Sequence, residues 1–382
     1  MSPEHGGPTK SLSNYCQSQA SAGHRVSIWT LEGYPNTSPA IRLEAPINNH
    51  VFRTQPPLQL GRSPDLRHGL HEAEPTDIYH LHGAWSLAMV YGAKEANRRK
   101  RPYVVELMGM YESWCLRKRW LEKRILRKWF QDDVLQGAAC LHVNSQKEAE
   151  ELQSIGFRRP IAVIPVGVDT QVVSTQMSNL VDYPPWPELS GRQFILYFSR
   201  IHPKKGLDLL LECWSHVVAR FPEWRLVIAG SGDKPYVDHC RELADGLNLA
   251  GSCLWTGHVT EQQKTWLLAR AHCYVLPTHS ENFGNTVAEA LAHQTPVITT
   301  TQTPWNDLAP NQCGWQVGDN AIDVGAALDQ AMQMSAETRR KMGEAGASLV
   351  QRRYSLDSVT KDMVAVYHWA LGSGPKPECL AR

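Results

Sequence analysis

Short apolar runs alternate with longer amphipathic segments along nearly the whole of this 382-residue chain. A strand covered on both faces reads as a continuous apolar run, and the helix that covers it reads with a 3.6-residue period. The alternation therefore predicts an α/β protein built on parallel sheets with crossover helices. Candidate strands in the first half are Arg25 to Thr30, Asp77 to His82, Pro102 to Glu106, Ala139 to Asn144 and Ile161 to Pro165. The second half repeats the rhythm with Phe194 to Phe198, Arg225 to Ala229, Ser252 to Trp255, His272 to Leu276 and Pro296 to Thr300. After Gly206, apolar residues at Leu207, Leu210, Leu211, Trp214, Val217, Val218 and Phe221 trace one face of a helix that Pro222 stops.

Between the halves, residues 166–192 hold Pro184, Pro185 and Pro187 and sustain no period, which marks a boundary. The expected organisation is a first domain over 1–168, a linker over 169–192, a second domain over 193–355, and a C-terminal helix over 356–382 that returns to the first domain. A helix-compatible stretch from Thr9 to Ala22 follows the Gly6-Gly7 turn and precedes the first candidate strand. The first domain is thus expected to lack its opening strand, which upstream coding sequence of about five to eight apolar residues would supply.

Charge and cysteine content exclude several classes. Lysine plus arginine number 39 against 38 for aspartate plus glutamate, so there is no general case for a nucleic-acid binder. Nine cysteines occur without a Cys-x-x-Cys pair, which fits free thiols in a reducing cytoplasm. No apolar run of spanning length and no leader pattern is present in the sequence.

The most informative segment runs from Pro277 through Glu281, Asn282, Phe283, Gly284 and Asn285 to Glu289. A strand ends at Leu276, Glu281 rides the following loop, and a helix starting near Gly284 or Asn285 carries Glu289 in its second turn. Both carboxylates then face the carboxyl edge of a parallel sheet, where doubly wound folds bind ligands. Carboxylates suit sugar hydroxyls, and the amides of the helix start suit a diphosphate. The bland alternative is a plain helix start with two solvated glutamates. A second strand-to-helix loop holds Arg200, Lys204, Lys205 and Gly206, cations able to grip phosphate oxygens from two sides. Gly230 and Gly232 end a third strand and permit close backbone approach, yet Pro235 stands where a dinucleotide fingerprint needs glycine.

In the first half, His80 and His82 lie on one face of a strand, and no third metal ligand of similar quality is evident. Asp-x-Asp is absent from the sequence, so no metal is expected and a diphosphate must be neutralised by protein cations and amides. Seven basic residues fall between Arg117 and Lys128, with Trp114, Leu121, Ile125 and Trp129 near helical spacing and Trp120 and Trp129 interleaved among the charges. This pattern suits an anionic membrane surface; a core-packed helix with a solvated basic face is the alternative.

Together these residues resemble a family. Gly6-Gly7, His80-x-His82-Gly83, Asn144-Ser145 with Glu148-Ala149, Pro165-x-Gly167-Val168-Asp169, Arg200 with Lys204-Lys205-Gly206, Gly230-Ser-Gly232, and Glu281 through Glu289 are similar to group-four retaining glycosyltransferases. The resemblance implies a GT-B fold: two Rossmann-like parallel-sheet domains facing a central cleft, with donor mainly in the second domain and acceptor in the first. It implies that Glu289 binds the donor ribose, Glu281 the hydroxyls of the transferred sugar, and amides at Phe283, Gly284 and Asn285 the sugar or diphosphate. Arg200 and Lys205 would neutralise the leaving phosphates, the Gly230-Gly232 turn would border the donor, and His82 with Gly7 would close the site from the first domain. Met108 stands where the family often has histidine or arginine, and Val166 where it often has asparagine. The activity implied is metal-independent transfer, with retention, of a sugar from a nucleotide-diphosphate donor. No separate cofactor is required. The acceptor would be a glycan or lipid-linked oligosaccharide in surface polysaccharide biosynthesis, and the enzyme cytoplasmic, with the inner face of the membrane as a peripheral docking surface through 117–128. A nucleotide-sugar epimerase of the same fold and a catalytically silent nucleotide-sugar-binding module are the competing readings.

Overall fold

The computed structural model describes residues 7–33, 42–117, 119–180 and 184–381. The chain divides into two units, residues 1–167 with 356–382, and Val168–Ser355.

The first unit carries β1 (Ser27–Glu32), β2 (Asn48–Arg53), β3 (Tyr79–His82), β4 (Tyr103–Glu106), β5 (Cys140–Val143) and β6 (Ile161–Val163). Strands β3-β4-β5-β6 form one parallel sheet, and β1-β2 form a separate parallel pair. Alternation along the strands sends Val105, Leu141, Val143 and Ile161 to one buried face, where Met89, Ala93 and Ala96 of the helix Leu87–Arg98 cover them. Val104, Cys140 and Ala162 face the other way onto Tyr15 of the helix Gly7–Ser21 and onto Val359, Met363 and Val366 of the helix Leu356–Ala370. The end of the chain thereby completes a layer of the first unit. Among the described residues no strand precedes the helix Gly7–Ser21, and Gly6 lies outside them.

In the second unit β7 (Phe194–Phe198), β8 (Arg225–Ala229), β9 (Cys253–Gly257), β10 (Cys273–Leu276), β11 (Val297–Thr300) and β12 (Gly314–Val317) make one parallel sheet ordered β12-β11-β10-β7-β8-β9. The helix Leu207–Val218 buries Leu207, Leu210, Leu211, Trp214 and Val217. Each of these leucines contributes about 1.5–3 kcal/mol of transfer free energy. Trp214 also satisfies its indole N–H on Ser252 Oγ at 3.1 Å.

The strands overlap the expected runs, β1 ending at Glu32 instead of Thr30 and β9 at Gly257 instead of Trp255, with two additions and one change. β2 and β12, whose sequences Asn-Asn-His-Val-Phe-Arg and Gly-Trp-Gln-Val are no apolar runs, were not expected. The stretch read as a linker contains a helix, Thr170–Ser178, started by Asp169 accepting from the Val172 amide at 2.9 Å. It packs on the helix Glu261–Arg270 inside the second unit, with Val173 buried.

Candidate active site

The strand order of the second unit reverses between β7 and β10, so the loops after these two neighbours flank the point where open α/β sheets take their ligands. The loops are locked together. The Lys204 carbonyl accepts from the His279 amide at 2.9 Å and from Thr278 Oγ1 at 2.7 Å. Gly206 holds φ +66°, and a Cβ there would stand 2.1 Å from the Pro277 carbonyl oxygen. In this frame Lys205 Nζ and Glu281 Oε2 form an ion pair, each side chain 14% exposed. The two residues belong to loops far apart in the sequence, and the structure brings them together.

Glu289 sits in the second turn of the helix Asn285–Ala292, 19% exposed, with Lys264 Nζ 3.4 Å from its Oε1. Lys264 also meets Glu261 at 2.9 Å. Gly284 caps this helix in the left-handed region at φ +84°, with no side-chain cap. Its neighbour Phe283 is buried against Trp305 and Tyr354, and its carbonyl accepts from Trp305 Nε1 at 2.6 Å. Phe283 and Gly284 are thus held rigidly between the two glutamates, with Asn285 opening the helix. Tyr274 ties the helix start to the sheet, its hydroxyl lying 2.6 Å from Thr286 Oγ1 and donating to the Phe198 carbonyl at 3.1 Å. Sequence reasoning missed Lys264 and Trp305. A lysine on a polar helix and a tryptophan after a strand carry no signal of their own.

Arg200 is exposed on the loop after β7 and pairs with no described side chain. Gly230 and Gly232 serve the protein's own backbone: a Cβ would come within 2.0 Å of the Ser199 carbonyl oxygen and 1.8 Å of the Ile201 carbonyl oxygen respectively. The close approach read from the sequence is therefore made by the neighbouring loop, which the Ile201 amide joins at the Ser231 carbonyl, 2.8 Å away. Beside this junction lies a pocket of about 250 Å³ lined by Gly230, Ser231, Gly232, Lys234, Arg241 and Trp255, with the Arg241 guanidinium 4.8 Å over the Trp255 ring.

In the first unit His82 ends β3 opposite Glu106 of β4. Its Nδ1 lies 2.5 Å from Glu106 Oε2, with side-chain exposures of 18% and 1%. His80 turns Nδ1 to the Tyr367 hydroxyl at 2.7 Å, leaves Nε2 buried and unpartnered, and stacks 4.1 Å from the His82 ring. Burial and the two neighbouring imidazoles hold His80 well below the ordinary histidine range. Donor atoms of His80, His82 and Glu106 all lie within 4.8 Å of one another. Glu106 is the third ligand type that the sequence did not offer, so a metal could be held here, although its carboxylate is already engaged by His82. Gly7 opens the helix Gly7–Ser21.

The Asn144-Ser145-Glu148 motif is structural. Ser145 Oγ accepts from the Glu148 amide at 3.2 Å, and Glu148 accepts from the amides of Asn144 at 2.9 Å and Gly109 at 2.7 Å. Burial outweighs these amides and pushes the Glu148 carboxyl up to about 8.

The basic stretch forms the helices Trp120–Leu126 and Arg127–Gln131. Trp120, Leu121, Ile125 and Trp129 are 57%, 56%, 58% and 60% exposed, so the core-packed alternative does not hold. Arg117, Arg124 and Lys128 are exposed alongside them, Arg119 pairs with Glu122, and Arg127 pairs with Asp132. Lys118 lies outside the described residues. No helix among the described residues is long and apolar enough to cross a membrane.

Two family descriptions match, "Glycosyl transferase 4-like domain" over residues 6–167 and "Glycosyl transferases group 1" over residues 184–349. The chain is 32% identical to a phosphatidyl-myo-inositol mannosyltransferase of Mycolicibacterium smegmatis over 56% of its own length and 53% of that protein's. It thus spans about half the length of the mannosyltransferases of this name that it matches. It is 25% identical to the GDP-mannose:cellobiosyl-diphosphopolyprenol alpha-mannosyltransferase of Xanthomonas oryzae pv. oryzae over 97% of this chain and 95% of that one. In fold it is similar to sucrose-phosphate synthase from Thermosynechococcus elongatus, with a TM-score of 0.76 and 18% identity over 97% of this chain and 94% of that one.

Proposed function

From the premise that this chain belongs to the group 1 glycosyltransferases and has the GT-B fold, we propose that it transfers a hexose, with retention and without a metal, from a nucleotide-diphosphate sugar to a lipid-linked oligosaccharide or glycan of a surface polysaccharide. The observation that carries this reading is the Lys205–Glu281 pair where the loops after β7 and β10 meet, with Glu289 in the helix that follows the second of these loops.

Glu289 would accept the ribose hydroxyls and Glu281 the hydroxyls of the sugar. On donor binding Lys205 exchanges its carboxylate partner for a diphosphate oxygen, and Arg200, exposed on the same loop after β7, supplies a second cation. The C1–O bond to the diphosphate breaks as the acceptor oxygen bonds to C1 on the same face. The acceptor proton passes to the departing phosphate oxygen, so no dedicated base is needed. Cations placed where charge develops on the leaving group supply the main stabilisation. In the first unit, His82 would act as a catalytic residue and Gly7 would bind the donor. The relatives named above are transferases, which lends no support to the epimerase reading.

A lipid-linked acceptor is favoured by the exposed Trp120, Leu121, Ile125 and Trp129 among exposed cations, a surface suited to the cytoplasmic face of an anionic bilayer. The donor reading is tested by thermal shift with a panel of nucleoside diphosphates and nucleotide sugars in chelator. One nucleotide series should raise Tm, by the equivalent of about 2.7 kcal/mol at a hundred times its Kd. Glu289→Gln should lose most of that rise. No rise with any nucleotide sugar would contradict the reading.

A further inference from the structure

We infer that Glu106 is a positioning residue for His82: it accepts the hydrogen bond of a protonated Nδ1 and so presents Nε2 to the substrate as a bare acceptor for a hydroxyl. The inference rests on the reading above that His82 meets the substrate. The role of Glu106 comes from the geometry of the first unit alone.

The two residues are paired across neighbouring parallel strands, His82 at the end of β3 and Glu106 at the end of β4. Their separation is 2.5 Å from Nδ1 to Oε2. An ionised carboxylate only accepts, so the proton on this bond belongs to Nδ1. A neutral imidazole has one N–H, and fixing it on Nδ1 leaves the lone pair on Nε2.

Glu106 has little freedom to turn elsewhere. It is 1% exposed, and the side-chain amide of Asn144 on the adjacent segment hydrogen-bonds it. The other imidazole nearby, His142, has its Nδ1 3.9 Å from Glu106 Oε2. His142 Nε2 lies 2.9 Å from the Ile164 carbonyl, which can only accept, so the His142 proton is committed there. Among the neighbouring imidazoles, His82 alone donates to Glu106. The His82 ring and the Asn144 amide are both donors to it, so Glu106 is the acceptor that the arrangement needs.

The pair is oriented outward. His82 keeps 18% of its side chain exposed while its partner keeps almost none, so the free edge of the ring is the edge away from Glu106. His80 stacks 4.1 Å from it and is itself pinned by Tyr367, which stops the His82 ring from rotating into the space beside β3. The result is a fixed hydrogen-bond acceptor, suited to a sugar hydroxyl and unsuited to a phosphate oxygen, which has no proton to give at neutral pH. Specificity follows, because a site built around one buried hydrogen bond rejects an analogue that lacks the matching hydroxyl.

The test is the imidazole ¹⁵N spectrum of the full chain labelled at histidine, in chelator at pH 8, with the His82 signals assigned by their loss in His82→Gln. The expected wild-type pattern is a protonated Nδ1 and an unprotonated Nε2. Glu106→Gln should mix the tautomers and, through loss of one oriented hydrogen bond, lower kcat by about 10- to 100-fold, with nucleoside-diphosphate affinity unchanged within about twofold. Glu106→Asp, which keeps the charge, should recover part of kcat and most of the tautomer. A wild-type His82 protonated on Nε2 would overturn the inference, as would a Glu106→Gln protein with wild-type spectrum and kcat. If Glu106→Gln fails to fold, the wild-type and Glu106→Asp spectra still decide. The predicted tautomer in a protein that turns over no nucleotide sugar would instead refute the glycosyl-transfer reading and leave the Glu106–His82 arrangement intact.

Discussion

Lys205 Nζ is paired with Glu281 Oε2 across 76 residues of chain, at the meeting of two loops whose backbones are hydrogen-bonded to each other. Each side chain is 14% exposed, so each charge is partly desolvated and neutralised by the other. Removing one partner leaves the other uncompensated, and that costs more than the pair itself is worth. Lys205→Ala and Glu281→Gln should each destabilise the second unit, by about 1–3 kcal/mol. The double variant should lose clearly less than the sum of the two. Urea titration of the four proteins measures this, and strictly additive losses would show that the pair is not coupled.

Gly232 and Gly206 test the rigidity of the frame. An alanine at Gly232 would put Cβ 1.8 Å from the Ile201 carbonyl oxygen, and one at Gly206 2.1 Å from that of Pro277 at φ +66°. Both should lower Tm by the equivalent of about 2–4 kcal/mol, because the opposing atoms are backbone and cannot swing away. Gly246→Ala, at the end of the helix Lys234–Gly246 with open space around its would-be Cβ, should be neutral or slightly stabilising. Equal melting of all three variants would contradict the account.

Glu148 predicts a pH dependence. Its folded-state value near 8 lies above that of an unfolded glutamate, so the unfolded chain releases its proton first as pH rises. Its contribution is complete below about pH 4.5 and is lost as pH climbs to about 8. Over that window the Tm of the wild type should fall relative to that of Glu148→Gln. Parallel Tm curves for the two proteins would remove this role.

The surface around Trp120 and Trp129 predicts binding to bilayers. Each exposed Lys or Arg near an anionic surface contributes about 1 kcal/mol, and the indoles sit at headgroup depth. Wild type should sediment with vesicles containing anionic lipid and not with neutral ones. Changing Arg117, Lys118, Lys123 and Arg124 to glutamine should release most of it, and Trp120→Ala with Trp129→Ala should do the same. Equal sedimentation of all proteins, or of none, would leave a soluble glycan as the better acceptor.

Much of the second unit was legible in the sequence, because its strands are buried on both faces and read as apolar runs, Phe194–Phe198 and Arg225–Ala229 among them. β2 was not, since it stays half-exposed and sets only Val51 and Phe52 among the polar Asn48, Asn49, His50 and Arg53. The helix Thr170–Ser178 escaped notice because it buries only Val173 and thus shows no period. In the candidate site, residue types and spacing exposed Glu281 and Glu289 as members of one loop-helix unit. The Lys205–Glu281 contact depends on strand order, which no local pattern encodes. Glu106 had one signal, a charge closing the apolar run Tyr103–Glu106, whose meaning became clear only with His82 opposite it.

Retaining transfer from a nucleotide sugar without a metal can be followed by proton NMR of the full chain with a nucleotide-sugar panel and a polyprenyl-diphosphate oligosaccharide in excess chelator. One donor should release its nucleoside diphosphate and yield a product whose anomeric coupling matches the donor's configuration, with both signals lost in Glu281→Gln. A product of inverted configuration, turnover that stops when divalent metal is removed, or undiminished turnover by Glu281→Gln would contradict such transfer.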